Sequence, residues 1–204
     1  MSSTTKEKIL ESALKLFSRK GYLGATTKEI AKEAGIAEVT LFRYFHSKEA
    51  LFEEVINNYS FLPKLKEILK KVESQSYKEV LKIIAFEFLK LLESKKDLIR
   101  IMHSEMQRYP EKIKKIYENV IENTFKLLSK YFEKLQKEEI LKEFNSELAA
   151  RAFLGMFFSY FYAKEIKEFL NLQKEDVNQI IDCLLYTSDA ADEGLGVDLG
   201  GRRI

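Results

Sequence analysis

The stretch from residue 21 to residue 52, GYLGATTKEIAKEAGIAEVTLFRYFHSKEALF, determines how the N-terminal part of this chain folds. Thr26 followed three residues later by Glu29 is the pattern of a helix N-terminus, in which each residue satisfies a backbone N–H of the other. Gly35 is a typical helix end, because glycine adopts the left-handed backbone that follows a last turn. Ser47 fits the N-cap of another helix. The stretch therefore predicts short helices separated by tight connections.

Upstream of this stretch, apolar residues recur at helical spacing over about residues 4–20. Thr4 with Glu7 is a capping box at the start of that helix, and Gly21 is its natural end. Between Gly35 and Ser47, a further short helix is predicted over Glu38–Phe45. Three short helices joined by glycine-containing turns predict a compact head of the helix-turn-helix type.

The rest of the chain also has helical periodicity. Pro63 should kink or end the long fourth helix that begins after Ser47, because proline lacks the N–H that a helix interior needs. Further helices are predicted at about 77–93, 97–109, 110–137, 145–168 and 174–182. Ser76 with Glu79 should open the first of these, and Asn145 or Ser146 should cap the helix 145–168. No strand-like alternation or hairpin signal is present. The predicted fold is all-α: a three-helix head joined by a fourth helix to a larger helical bundle.

The composition fits a helix-rich globular protein, with 32% charged and 46% apolar residues among 204. No stretch approaches the length of uncharged apolar sequence that a membrane helix needs, and the N-terminus lacks an apolar signal core, so we expect a cytoplasmic protein without membrane contact. Basic residues outnumber acidic ones by nine to six in residues 1–50. This excess is a weak indication of a polyanionic partner.

Residues 183–204, CLLYTSDAADEGLGVDLGGRRI, differ in kind from the sequence before them. Lysine is absent, and four of the eight glycines lie here. The stretch resembles a translated sequencing-library adapter, since Cys183–Ser188 back-translates to TGT CTC TTA TAC ACA TCT. A natural glycine-rich tail is the alternative. We expect a non-native tail, and in that case the native part contains no cysteine and no thiol chemistry.

The predicted helix Glu38–Phe45 has two distinct sides. With Leu41 facing the core, Ala37 and Phe45 should join it there, because neighbouring helical residues lie about 100° apart. The opposite side carries Val39, Phe42 and Arg43, with Thr40 at its flank. Such a face suits the DNA major groove, where a thymine methyl accepts apolar contact and arginine reaches guanine. Alternatively, Phe42 packs against the first helix and never meets DNA.

The segment 21–52 resembles the signature of the TetR/AcrR family of transcriptional regulators. The shared features are Gly-Tyr after the first helix, Thr-Thr before the second, Ile-Ala-x-x-Ala-Gly-Ile at the turn, an aromatic third helix and Ser-Lys-Glu-x-Leu-Phe. They occur in the family's order and spacing over the first quarter of the chain. The resemblance implies a DNA-binding head at 1–50 and a ligand-binding and dimerisation domain at 51–182.

Binding of double-stranded DNA is predicted at the starts of the second and fourth helices and along the third. Helix N-termini favour phosphate there, and the family resemblance implies backbone contacts for Tyr44 and Lys48. Two departures from the family pattern leave the bases that are read open. Phe42 replaces a frequent tyrosine, and Glu38 stands where some members have lysine; Glu38 could accept from cytosine or suit the helix start. The candidate DNA-binding residues are Thr26, Thr27, Lys28, Glu38, Val39, Thr40, Phe42, Arg43, Tyr44 and Lys48.

The bundle offers an expected dimer face and an expected effector pocket. The helix 145–168 is apolar over more than one stripe, which predicts burial on two sides, one against a partner subunit. In the family, the last two helices form a dimer interface, and two heads would then read a palindromic operator. Each candidate pocket residue could equally be plain core. The candidates for lining the pocket are Phe86, Leu89, Met102, Met106, Phe125, Leu128, Phe153 and Phe157.

No catalytic motif, phosphate loop or metal-binding pattern is present in the sequence. His46 and His103 lack a second ligand at helical spacing, so we expect no metal, no cofactor and no enzymatic activity. The predicted function is a homodimeric repressor that is released from DNA by a small apolar or amphipathic effector. An activator is equally compatible with the sequence. A DNA-bound scaffold that recruits a protein partner without sensing a ligand is the competing interpretation.

Overall fold

The structure, a computed structural model, describes residues 4–71 and 75–169, together with residues 179 and 181. These ranges are helical and contain no strand, which confirms the all-α prediction. The predicted last helix lies outside them except for Gln179 and Ile181, which are helical, and the stretch 183–204 lies outside them entirely. The helices are α1 (Thr5–Gly24), α2 (Thr27–Glu33), α3 (Glu38–Tyr44), α4 (Lys48–Tyr59), α5 (Phe61–Lys71), α6 (Tyr77–Ser94), α7 (Lys96–Glu105), α8 (Glu111–Lys137) and α9 (Ser146–Phe169).

The predicted helix starts are confirmed by side-chain caps. Thr4, Thr26 and Ser76 each form a reciprocal capping box with the glutamate three residues later. Ser47 accepts a 3.1 Å hydrogen bond from the backbone N–H of Ala50 at the start of α4. Asn145 is the residue that caps α9, because its Oδ1 accepts from the N–H of Leu148 at 3.0 Å. Local sequence therefore determines where these helices begin.

Two glycines of the head have positive φ angles, one within α1 and one at the end of α2. Gly21 interrupts α1 at φ 71° and ψ 175°, a combination that essentially only glycine adopts. Gly35 follows α2 at φ 70°, and the N–H of Ile36 reaches back 3.0 Å to the carbonyl of Ala31. This bond and the positive φ form a Schellman end, as the sequence predicts.

The prediction of a long fourth helix is wrong. α4 ends at Tyr59, Ser60 is extended at φ −77° and ψ 178°, and α5 begins at Phe61. Pro63 lies in the first turn of α5, where a missing N–H leaves no hydrogen bond unmade. The proline therefore starts a new helix instead of kinking the previous one.

The head packs directly against the bundle. Its core is continuous with Met102 of α7, Ile113 of α8 and Tyr109 in the connection between these two helices. A second apolar core joins α5, α6, α8 and α9 around Phe157 and Leu128. The head is thus attached through α7 and α8 as well as through α4. Within the described ranges, no helix has both the length and the apolarity needed to cross a membrane.

Candidate DNA-binding surface and effector cavity

Helix α3 presents an exposed face that is apolar and cationic. Val39 is 69% exposed, Phe42 40% and Tyr44 47%, and Arg43 lies beside them on the surface. On the opposite side, Leu41 is fully buried, and Thr40 is half-buried at the flank. Exposed large apolar side chains beside a cation are expensive on a solvated surface and useful in a DNA groove. We call Val39, Phe42, Arg43 and Tyr44 the α3 face.

The inner side of α3 differs from the prediction at one position. Phe45 is buried with Leu41 as expected, but Ala37 is exposed. Ala37 is the N-cap and has an extended backbone, at φ −72° and ψ 147°. The helical periodicity that would direct its side chain to the core does not apply at that residue.

The starts of α2 and α3 are joined through their side chains. The hydroxyl of Thr27 donates a 2.6 Å hydrogen bond to Oε1 of Glu38. Glu38 is the first residue of α3, so its carboxylate is held against α2. This bond uses one of the acceptor sites that a cytosine contact would need. Lys28, next to Thr27, is exposed at the same end of α2.

Thr26 is committed to the cap of α2. Its hydroxyl accepts from the N–H of Glu29 at 3.2 Å and lies 3.0 Å from the Glu29 carboxylate. Lys20 binds the same carboxylate at 2.7 Å. Lys20 and Thr26 together hold the pKa of Glu29 at about 2, so this cap stays ionised at neutral pH. Thr26 can therefore meet a phosphate only while also serving the cap.

Lys48, a candidate for phosphate contact, is half-buried at the start of α4. Its Nζ lies 4.4 Å from the ring centroid of Tyr22, and burial lowers the pKa of its ammonium. The Tyr22 hydroxyl donates a 2.8 Å hydrogen bond to Glu49. The carboxylates of Glu49 and, from α7, Glu105 act in the opposite direction and raise the pKa of Lys48. Sequence reasoning missed Tyr22, Glu49 and Glu105, because no local pattern indicates that α7 approaches α4.

A cavity of about 300 Å³ lies between the ends of α4 and α6 and the helices α7, α8 and α9. Its wall is almost entirely apolar, with hydroxyl groups of serine, threonine and tyrosine and one lysine among the described lining residues. This volume is at the lower end of those that hold small ligands. The lining residues are Ile56, Tyr59, Ser60, Phe61, Phe88, Leu91, Leu92, Lys95, Leu98, Ile99, Met102, Tyr117, Val120, Ile121, Thr124, Phe125, Leu154, Gly155 and Phe158.

Of the residues expected to line a pocket, the structure brings Met102 and Phe125 to this cavity. Phe86, which is 43% exposed, and Leu89 line a second cavity of about 320 Å³ between α6 and α9. Met106 packs against the core of the head. The remaining three are buried in the core of the bundle: Leu128, Phe153 and Phe157. Helical periodicity identifies buried positions but does not show which of them face a space.

The cavity and the core of the head share a wall. Ile56 of α4, Leu98 and Met102 of α7, and Val120 of α8 line the cavity and also belong to the apolar core of the head. Displacing any of these side chains must disturb the packing of the head, because close-packed interiors transmit strain. The geometry therefore connects the space in the bundle to the DNA-facing end of the molecule.

The structure combines a three-helix head, whose third helix has an exposed apolar and cationic face, with an all-α bundle that contains a cavity. This combination is that of the helix-turn-helix transcriptional regulators. The model of the TetR family of bacterial regulatory proteins matches residues 9–55. The model of the AefR-like transcriptional repressor C-terminal domain matches residues 79–185, more than half of the chain. The chain belongs to the TetR family.

One relative agrees with this assignment, and two solved structures share the fold. The HTH-type transcriptional regulator YvkB of Bacillus subtilis is 32% identical over 157 residues, 77% of this chain and 81% of YvkB. The Bacillus subtilis regulator FadR, solved with stearoyl-CoA, superposes with a TM-score of 0.69 at 21% identity over 88% of this chain and 95% of FadR. A TetR/AcrR-type regulator from Aquifex aeolicus superposes with a TM-score of 0.67 at 24% identity over 92% and 99%.

Proposed function

We propose that this chain is a homodimeric, cytoplasmic transcriptional repressor without enzymatic activity, and that a small apolar or amphipathic effector releases it from a palindromic operator. The observation that carries the proposal is the α3 face, on which Val39 and Phe42 stay exposed beside Arg43. In a major groove these side chains would meet thymine methyl groups and guanine edges. Thr27, Lys28, Tyr44 and Lys48 would hold the head against the phosphate backbone.

The cavity supports the effector half of the proposal. An effector that enters it would press on Leu98, Met102 and Ile56, which are also packed into the head. The ligand would then favour the arrangement of α4 and α7 that enlarges the cavity, and this arrangement would hold the heads at a spacing unsuited to the operator. The match to AefR-like repressors and the stearoyl-CoA bound to FadR are compatible with this account.

Helix α9 supports dimer formation. Leu148 is 64% exposed and Tyr162 44% exposed on a helix whose other side, at Phe157, is fully buried. Large apolar side chains on both sides of one helix fit a second copy better than water. A two-fold dimer would place two α3 helices on two half-sites of one palindrome.

A DNA-bound scaffold would need no apolar cavity. The cavity of about 300 Å³, with its wall shared with the head, therefore favours a ligand sensor over a scaffold. An activator would use the same cavity and the same α3 face, but effector binding would then strengthen operator binding instead of weakening it.

Footprinting on the DNA upstream of the chain's own gene tests the proposal. We expect the purified protein to protect a site with two-fold symmetry, whose half-sites lie about one helical turn apart. Addition of an effector that occupies the cavity should abolish the protection. Protection of random DNA with equal affinity would contradict a reading role for α3. Unchanged protection at saturating effector would contradict release.

A further inference from the structure

Lys95 is the one charged side chain among the described residues that line the cavity. It lies at the junction of α6 and α7, and its Nζ is 5.0 Å from the ring centroid of Tyr59 across the cavity wall. Among the residues that the structure describes, its ammonium makes no ion pair. The remaining wall next to it is apolar, with Leu91, Leu98 and Ile99 from the two adjoining helices.

The nearest carboxylate on α6, that of Glu93, is already paired. Lys96, the next residue, lies 3.7 Å from the Glu93 carboxylate, and Lys164 of α9 lies 3.0 Å from the same carboxylate. Glu93 is thus occupied by two cations on the outer side of this junction. Lys95 is half-buried and its ammonium lies over the Tyr59 ring, a contact that leaves its hydrogen-bond donors available to an anion. Lys95 is placed where a bound molecule can supply that anion.

The volume limits the length of such a molecule. A water molecule occupies about 30 Å³ of liquid, and a methylene group is of similar size, so the cavity takes roughly ten such groups. Apolar walls on α7, α8 and α9 are suited to an unbranched alkyl chain. The ammonium of Lys95 is suited to a single negative charge on that chain.

We propose that the cavity binds a medium-chain carboxylate of about ten carbons, with the carboxylate paired to Lys95 and the alkyl chain between α7, α8 and α9. This inference rests on the proposed function only in taking the cavity as the effector site. It adds the charge and the length of the effector, and these two properties are measurable without DNA.

Titration calorimetry on the full chain tests the charge, with decanoate, decan-1-ol and decylamine at concentrations below micelle formation. We expect decanoate to bind about tenfold more tightly than decan-1-ol, a difference that corresponds to about 1.4 kcal/mol, and decylamine to bind most weakly. Hexanoate and hexadecanoate should each bind more weakly than decanoate. Equal affinity for decanoate and decan-1-ol would overturn the proposal. Decanoyl-CoA that binds tenfold more tightly than decanoate would also overturn it, in favour of a thioester ligand.

Two substitutions assign the charge preference to Lys95. Lys95→Gln should weaken decanoate about tenfold and leave decan-1-ol within twofold, because only the charged head loses a partner. Lys95→Glu should reverse the order of decanoate and decylamine. Lys96→Gln is the matched control, since this neighbour pairs with Glu93 outside the cavity wall, and it should leave all three affinities unchanged. Equal losses for the two glutamine variants would contradict the proposal.

Comparison with operator binding separates this inference from the proposed function. If decanoate binds as described but the operator complex survives, the ligand class stands and the release mechanism fails. If another molecule releases the operator while decanoate does not bind, the repressor stands and the ligand class fails.

Lys95→Arg, which retains the charge, should restore decanoate binding if Lys95→Gln loses it through charge. A Lys95→Arg variant that binds as weakly as Lys95→Gln would contradict the pairing.

Discussion

The hydroxyl of Thr27 donates a 2.6 Å hydrogen bond to the carboxylate of Glu38, and this bond ties the first residue of α2 to the first residue of α3. The α3 face depends on the angle between these two short helices. Each has seven residues, so neither is stable without tertiary contacts. Glu38 therefore helps to position α3 whether or not DNA is bound, and whichever base lies opposite it.

A double-mutant cycle tests that role. Thr27→Val and Glu38→Ala should each weaken operator binding, and the double variant should be no weaker than the worse single variant, because both remove the same bond. We expect a coupling of about 0.5–1.5 kcal/mol, the range for contacting residues and for one hydrogen bond. Additive effects would contradict positioning. If Glu38→Ala relaxes specificity at one base pair while Thr27→Val does not, Glu38 reads a base directly.

Arg43 should distinguish operator from random DNA. Arg43→Ala is expected to weaken operator binding by about 1–3 kcal/mol and random DNA much less, because the guanidinium would contact a base edge. Lys48→Ala should weaken both and reduce the salt dependence of binding. Gel-shift titrations over a range of salt concentrations measure both properties. Arg108→Ala, an exposed arginine outside the head, is the control and should change neither. Equal losses on both DNAs would remove Arg43 from the reading face.

Gly21 should be the least replaceable glycine of the head. Its backbone conformation essentially requires glycine, and a methyl group there would overlap the carboxylate of Glu105. Gly35 also has a positive φ, but an added methyl group would meet nothing within 4 Å. Gly35→Ala therefore isolates the backbone cost, about 1–2 kcal/mol. We expect Gly21→Ala to lower the free energy of unfolding by about 1–3 kcal/mol for backbone strain plus the cost of moving Glu105.

Denaturant unfolding of both variants measures the difference. Glu105→Ala in the Gly21→Ala background should recover part of the loss, since the overlap disappears while the strain remains. If Gly21→Ala and Gly35→Ala cost the same and Glu105→Ala recovers nothing, the close approach of α7 to the head is absent in solution.

The features of the fold that could be predicted from the sequence are those that depend on residues only a few positions apart. The capping boxes at Thr26 and Ser76, the glycine ends and the exposed side of α3 follow from local hydrogen bonding and helical spacing. The break at Ser60 could not be predicted, because Pro63 is compatible with a kink, an end or a new first turn. The structure has the last of these, a new first turn, and Phe61 and Leu65 of the new helix are buried in the core of the bundle.

The cavity could be predicted only in part. Phe153 and Phe157 have the same residue type and spacing as residues that line a pocket, yet they pack on each other, with ring centroids 5.2 Å apart. Lys95 and Tyr59 are polar residues at helix ends and carry no periodic signal of burial. Their meeting depends on how α4 and α7 cross, which is a tertiary property. The contact of Glu105 with Gly21 was missed for the same reason.

Exposed residues of α9 should control the oligomeric state. Leu148→Glu combined with Tyr162→Glu is expected to weaken the dimer at least about 30-fold, because charged side chains would replace apolar contacts at an interface centre, where losses reach about 2 kcal/mol or more. Ultracentrifugation measures the mass, and operator affinity should fall with it. Ile140→Glu is the control, since Ile140 is also exposed but lies between α8 and α9. A dimer that survives the double substitution would locate the interface elsewhere.

Gly155 permits the cavity to be filled from within. It lines the cavity on α9, and an added methyl group would meet nothing within 4 Å. Gly155→Ala should therefore raise the free energy of unfolding by about 0.5–1 kcal/mol, because alanine loses less backbone entropy in a helix. Gly155→Leu should occupy the space that an effector needs. We expect this variant to bind the operator like the parent chain and to remain bound when effector is added.

Parallel gel-shift titrations of the parent chain, Gly155→Ala and Gly155→Leu check this prediction, with effector as the variable. The loss of operator affinity on adding effector should become smaller in that order, because less cavity volume remains for the effector. Operator affinity without effector should stay constant. Because Leu98 and Met102 join the cavity to the head, a leucine that presses on them could instead imitate the effector. Loss of operator binding without effector would then show that filling the cavity is sufficient for release. A full effector response in Gly155→Leu would contradict the cavity as the effector site.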